Sequence, residues 1–124
     1  MKYKVMSQLD VYTKNILPQG EHIFEIVRAE DLISKKNNPI FKLTFKVEVN
    51  NEVFWICDYL SEKIPWKIKN FMDAINILDN YTLGEITSED CLGKKGRFRI
   101  VQEYSEVYGV QSVISYYMGD SNEN

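Results

Sequence analysis

Histidine, cysteine and proline are scarce in this chain: one, two and three residues. With His22 the only histidine, no Ser-His-Asp set presents itself, and no cysteine or carboxylate stands at zinc-ligand spacing from it. Cys57 and Cys91 form no C-x-x-C pair, so two free, partly buried thiols are expected. Gly93-Lys94-Lys95-Gly96 lacks the strand-loop-helix setting of a phosphate loop. The acid pairs Glu30-Asp31 and Glu89-Asp90 read as strand-end and cap residues, with nothing to make them converge on Mg²⁺. These shortages predict no enzyme, no cofactor and no metal site. No apolar run approaches ~20 residues, so no segment reads as a membrane span. The stretch MKYKVMSQLD lacks the apolar core of a secretory signal.

At 124 residues the chain suits one domain with one core. Its net charge of −3 argues against binding a polyanion by bulk charge alone. The charge is unevenly spread, however. Residues 34–47 hold Lys35, Lys36, Lys42 and Lys46 without an acid, and residues 91–102 hold Lys94, Lys95, Arg97 and Arg99 without one. The acids fall in Glu21 to Asp31, Asp73 to Asp90 and the tail. The expectation is a basic stripe on an acidic body, able to hold a phosphate chain. Solvated strand faces are the plainer account of the same charges.

Hydrophobic periodicity orders the elements. Leu17-Pro18-Gln19-Gly20 is a turn that launches a strand over 22–29, apolar on both faces and so expected to be buried twice over. A polar loop over 34–39 precedes the cleanest alternation in the chain. Phe41, Leu43, Phe45, Val47 and Val49 fall on one face, and Lys42, Thr44, Lys46 and Glu48 on the other. Asn50-Asn51 tolerates the positive φ of a tight hairpin and returns the chain through residues 53–60. The period then lengthens. Ile64, Ile68, Phe71, Met72, Ile75 and Leu78 predict an amphipathic helix with Ser61 as N-cap, Pro65 in its first turn and an end near Asp79-Asn80. Thr87 to Asp90 reads as one short helical turn stopped by Gly93. Strands over 95–103 and 107–117 close the pattern. Residues 1–16 form an N-terminal extension, 17–118 the domain and 119–124 a frayed polar tail.

Three strands, a helix and two strands give a mostly β protein. Its expected form is a five-stranded Greek-key OB-like barrel with one helix between strands 3 and 4. Folding at Asn50-Asn51 pairs Lys46 with Trp55, Thr44 with Cys57 and Lys42 with Tyr59 on one face. Val47 with Phe54, Phe45 with Ile56 and Phe41 with Leu60 share the other. The first face interleaves amines with flat rings. Single-stranded nucleic acid fits such a surface, because lysine meets phosphate and a ring stacks on an unpaired base. The nominated binding residues are Trp55, Tyr59, Lys42 and Lys46, with Lys35 and Lys36 in the loop and Arg97 and Arg99 on the fourth strand. The same register points Asp58 inward beside Leu43, an expensive position without a partner. A bulge or strand end near Cys57 that re-aims Tyr59 is therefore expected. Trp66 lies opposite the apolar stripe of the helix and is expected to pack on the N-terminal segment or on another subunit. Of Tyr104, Tyr108, Tyr116 and Tyr117, two are candidates for stacking and the others ordinary strand residues.

Several stretches resemble a bacteriophage family of single-stranded DNA-binding proteins: Leu17-Pro18-Gln19-Gly20, Val27-Arg28-Ala29-Glu30, Ser34-Lys35, Asn38-Pro39 and Phe41-Lys42-Leu43-Thr44-Phe45. The likeness continues through Asp58-Tyr59-Leu60, Trp66-Lys67-Ile68, Phe71, Ala74 and Leu92-Gly93-Lys94-Lys95-Gly96, and so spans residues 17–117. It implies an OB-like fold and sequence-tolerant binding of single-stranded DNA in phage replication or recombination. It transfers no binding motif residue by residue. Bacterial-type single-strand binders end in an acidic, partner-recruiting tail, of which 120–124 is a weak version. The expected partners are single-stranded DNA and no membrane, with homo-oligomers and replication or recombination proteins left open. The expected location is the cytoplasm, of the infected host cell if phage-encoded. A second reading keeps the barrel but makes it a protein-protein adaptor that docks a replication or recombination enzyme.

Overall fold

Alternating strands need a partner for their apolar face, and here five of them share one. The computed structural model describes residues 16–119. Strands β1 (Gly20–Ile33), β2 (Pro39–Val49), β3 (Glu52–Leu60), β4 (Lys95–Ser105) and β5 (Gly109–Met118) form one antiparallel sheet in the order β3-β2-β1-β4-β5. Helix α1 (Pro65–Ala74), a 3-10 turn (Leu78–Leu83) and the single-turn helix α2 (Ser88–Cys91) lie between β3 and β4 in the chain. The protein is thus mostly β, and its sheet is open: β3 and β5 are edges and share no ladder. They nevertheless approach. Tyr117 on β5 donates to Asp58 on β3 at 2.6 Å. Ile16 lines a cleft between the two edges, and Leu17, fully buried, is tied by its backbone to the side chains of Ser112 and Gln102. Chain and side chains fill the approach that a ladder would need.

The inner face of the sheet carries the core. Phe24 lies 4.7 Å, centroid to centroid, from both Phe45 and Phe98, and Tyr117 sits 5.3 Å from Phe71 of α1. Such ring pairs add ~0.5–1.5 kcal/mol each beyond the area they bury. Gly96 lets β4 pass beneath the end of α1, where a Cβ would fall 2.7 Å from the carbonyl oxygen of Ala74. No helix among the described residues is long and apolar enough to cross a membrane.

Three local expectations are corrected. β1 is buried on one face only: Phe24 and Ile26 are in the core, while Ile23 and Val27 are exposed. As the central strand it pairs with β4 through Gly20–Glu25 and with β2 through Phe24–Ile33, and a register shift at Val27 lets it bend between them. Helix α1 starts late and ends early. Its N-cap is Ile64, without a side-chain hydrogen bond, and Ser61 instead accepts from the Lys63 amide in the preceding turn. At the other end Asn76 takes φ 63°, the Ile77 amide donates to Met72 and the Asn76 amide to Asp73. This paired closure stops the helix with asparagine in the usual glycine position. The thiols are free, but Cys57 is exposed and only Cys91 is buried. Burial foremost, with Asp90 adding and Lys94 opposing, pushes the Cys91 thiol up to about 12.

The α2 turn follows the expected chemistry. Thr87 accepts from the Asp90 amide and Asp90 accepts from the Thr87 amide, a reciprocal cap, and Gly93 follows at φ 80°. All but Ile16 of the extension over 1–16 and all but Gly119 of the tail over 119–124 lie outside the described residues.

Candidate nucleic-acid interface

The β2–β3 hairpin turns on Asn50 and Asn51, with φ of 53° and 71°, which is the type I′ geometry that suits the twist of paired strands. Its register is the one the alternation predicts. Lys46 faces Trp55, Thr44 faces Cys57 and Lys42 faces Tyr59, while Val47–Phe54, Phe45–Ile56 and Phe41–Leu60 point to the core side. Trp55 and Tyr59 are each 48% exposed, so both rings offer open surface. The Lys42 ammonium lies 6.0 Å from the centre of the Tyr59 ring, at the limit of a cation–π contact. Thr44 and Cys57 meet at 3.6 Å between the two pairs.

No bulge interrupts this ladder, contrary to expectation, because Asp58 has partners that a local reading does not supply. Its carboxylate accepts from Lys67 of α1 at 2.8 Å, from Tyr117 of β5 at 2.6 Å and from the Tyr59 amide at 2.8 Å. The Lys67 ammonium also donates to the Tyr59 carbonyl at 3.1 Å. With its charge balanced, Asp58 points inward and leaves Trp55 and Tyr59 on the outer face. Tyr117 is 6% exposed; burial first, then the Asp58 charge and hydrogen bond, hold its phenol well above 10.

The other nominated residues join the site unequally. Lys35 and Lys36 sit at the β1–β2 connection, which is a defined turn: Asn37 has φ 63°, and Ser34 accepts from the amides of Lys36 and Asn38. Both lysines are exposed. Arg97 and Arg99 lie on the same outer face, but on β4, with β1 between them and the lysines.

That intervening strand corrects the expected charge pattern. The acids of β1 do not sit apart from the basic stripe; they run through it. Glu30 faces Lys42, Glu25 stands between Lys46 and Lys95, and Glu21 faces Arg99. Arg28 bonds Glu30 at 2.7 Å. Of the nominated strand cations only Arg97 faces an apolar neighbour on β1, Ile23. The outer face is therefore alternately charged, and cross-strand pairs of this kind stabilise a sheet by ~0.2–1 kcal/mol each. Pairing β1 against β2 on paper would have exposed these neighbours; charge windows read along the chain could not.

Sequence reasoning also missed a cleft of about 270 Å³ at the β3–β5 seam. Trp55 and Cys57 line one wall, and Tyr108, Gln111 and Ser112 the other. Trp55 thus belongs both to the Lys46 row and to the seam. Among the tyrosines, Tyr104, Tyr108 and Tyr116 are exposed and Tyr117 is core. Trp66 is 64% exposed on α1; its expected cover is the N-terminal segment, of which residues 1–15 lie outside the described residues, or another subunit. The His22 Nε2 donates to the Pro18 carbonyl at 2.7 Å, and no metal-holding cluster occurs among the described residues. In comparisons with known proteins, no family model matches the chain and no curated protein is significantly similar to it.

Proposed function

We propose that this protein binds single-stranded DNA with little base preference, as a non-enzymatic component of phage replication or recombination. The observation that carries the reading is the register of the β2–β3 hairpin, which puts two half-exposed rings directly beside two lysines on one open face. The open sheet is read as an OB-like barrel, with its seam spanned by Asp58–Tyr117 in place of a β3–β5 ladder. Stacking on Trp55 and Tyr59 supplies most of the binding, since the β1 carboxylates offset much of the charge. The log–log slope of affinity against salt is then shallow, one or two phosphates' worth.

The test is a fluorescence titration with oligo-dT in a Trp66→Phe background, so that Trp55 alone reports. Its emission quenches, and Trp55→Ala costs ~1–3 kcal/mol of binding. Equal affinity for duplex and single strand at low salt would refute the proposal. The carboxylates on the face favour one other reading, an adaptor that docks a replication or recombination enzyme through mixed charge. Reversing Lys42 and Lys46 to Glu separates them: a DNA binder loses the strand, while an adaptor still finds its partner.

A further inference from the structure

Away from the outer face, α1, the 3-10 turn and the ends of β2 and β3 enclose a groove. Its larger part, about 410 Å³, is floored by Ile68 and Met72 of α1 together with Tyr81 and Ile86. A second part, about 210 Å³, continues it over Phe41 and Leu60 and shares Glu62, Ile68, Gly84 and Ile86 with the first. Together they fall within the ~300–1,000 Å³ of ordinary binding pockets. The charged residues that line the groove are all acids: Glu62 at the shared middle, Glu85 in the larger part and Asp31 in the smaller. All three are exposed, so they form a rim above an apolar floor. The Lys69 ammonium lies 6.0 Å from the centre of the Tyr81 ring.

This chemistry excludes some occupants. A rim of carboxylates repels phosphate, so the groove does not extend the candidate nucleic-acid face. No buried side-chain polar atom among the described residues lacks a partner, so none is aimed into the groove to orient a small polar metabolite. An open, elongated apolar floor under three separated negative charges instead complements a segment that alternates apolar anchors with cations. We propose that the groove docks a short, extended peptide segment of a partner protein, with Leu- or Ile-type side chains on the floor and Lys or Arg at Glu62, Glu85 and Asp31. This stands independently of DNA binding.

The probe is an amidated Lys-Leu-Ile-Arg-Leu-Lys peptide, with Glu-Leu-Ile-Glu-Leu-Glu as its charge-inverted control, titrated into the full chain and followed by methyl NMR. The cationic peptide shifts the methyl resonances of Ile68, Met72 and Ile86, the control does not, and added salt weakens the effect. Glu62→Gln with Glu85→Gln, exposed changes that leave the melting temperature in place, weakens binding about fivefold, as expected for two exposed charge pairs. The proposal is overturned if neither peptide shifts these methyls, if both do so alike, or if the shifts map to the β2–β3 outer face. It is equally overturned if raising the protein concentration alone moves the same resonances, since the occupant is then a second copy of this chain.

Discussion

The two hairpins of the sheet are built differently. β2–β3 turns on two asparagines with left-handed φ and keeps an unbroken register from Phe41–Leu60 to Val49–Glu52. β4–β5 turns through residues 106–108, with Ser105 accepting from the amides of Val107 and Tyr108 and Gly109 at φ 79°, and its register shifts between Arg99 and Ile100. A straight ladder keeps side chains in rows, which is what a stacking platform needs. A bulged one bends and twists more sharply. The bulge in β4–β5, with the one at Val27 of β1, lets β5 curl toward β3 until Tyr117 reaches Asp58. One hairpin is the platform and the other wraps behind it.

The largest test of that division is at the joint. Phe24 touches Phe45 of the platform and Phe98 and Tyr117 of the wrapping hairpin. Phe24→Ala is expected to cost ~3–5 kcal/mol in urea unfolding, the price of a buried aromatic cavity. A cost below ~1 kcal/mol would mean that the hairpins do not share a core.

Next in size is the Asp58 link. Asp58→Ala strands Tyr117 and Lys67 and is expected to destabilise by ~1–3 kcal/mol. The alkaline limb of stability reports on the same region. Tyr117 is held above its ordinary 10.0 and Cys91 above its ordinary 9.0, so both bind their protons more tightly folded than unfolded. Their contribution is complete below those ordinary values and is lost as pH rises through the folded ones. Stability should therefore fall above pH ~9, and Tyr117→Phe should flatten the part of that decline above 10. An unchanged slope would show that the phenol does not sense Asp58 or its burial.

The platform was legible because its signals are local. Strict alternation over 41–49 and an Asn-Asn turn settle a register without reference to any other strand, and Trp55 and Tyr59 follow from it. What escaped was non-local. Asp58 looks unaffordable until Lys67 and Tyr117 arrive from α1 and β5. The lysines look like a basic stripe until β1 lays Glu25 and Glu30 beside them. The apolar residues of β1 on both faces suggest double burial, yet Ile23 and Val27 stay exposed because the sheet is covered on one side only. The helix pattern runs past Ile75, but the left-handed Asn76 ends the helix before the pattern does.

A smaller effect isolates the carboxylates of β1. Glu25→Gln with Glu30→Gln removes two negative charges from the rows that hold Lys46 and Lys42. Single-stranded DNA should bind about threefold tighter, a change in the range of exposed charge pairs, and the salt dependence should steepen. Unchanged affinity would place the strand away from these rows, and Lys42 and Lys46 would lose their standing as phosphate contacts.

The smallest effect, at Asn51, returns to the turns. Asn51 at φ 71° tolerates the left-handed region but does not prefer it, whereas glycine pays no steric penalty there. Asn51→Gly should raise stability by ~0.5 kcal/mol, since type I′ turns favour glycine at the second position. Gly109→Ala, at φ 79° in open space, should lower it by ~1 kcal/mol through backbone strain alone. Amide exchange then separates turn from faces. If the gain at Asn51 is real and confined to β2–β3, the turn helps to hold the register that aligns Trp55 with Lys46. If exchange in β2–β3 is indifferent to the turn, the alternation of Phe41, Leu43, Phe45 and Val47 against the core holds the platform in register by itself.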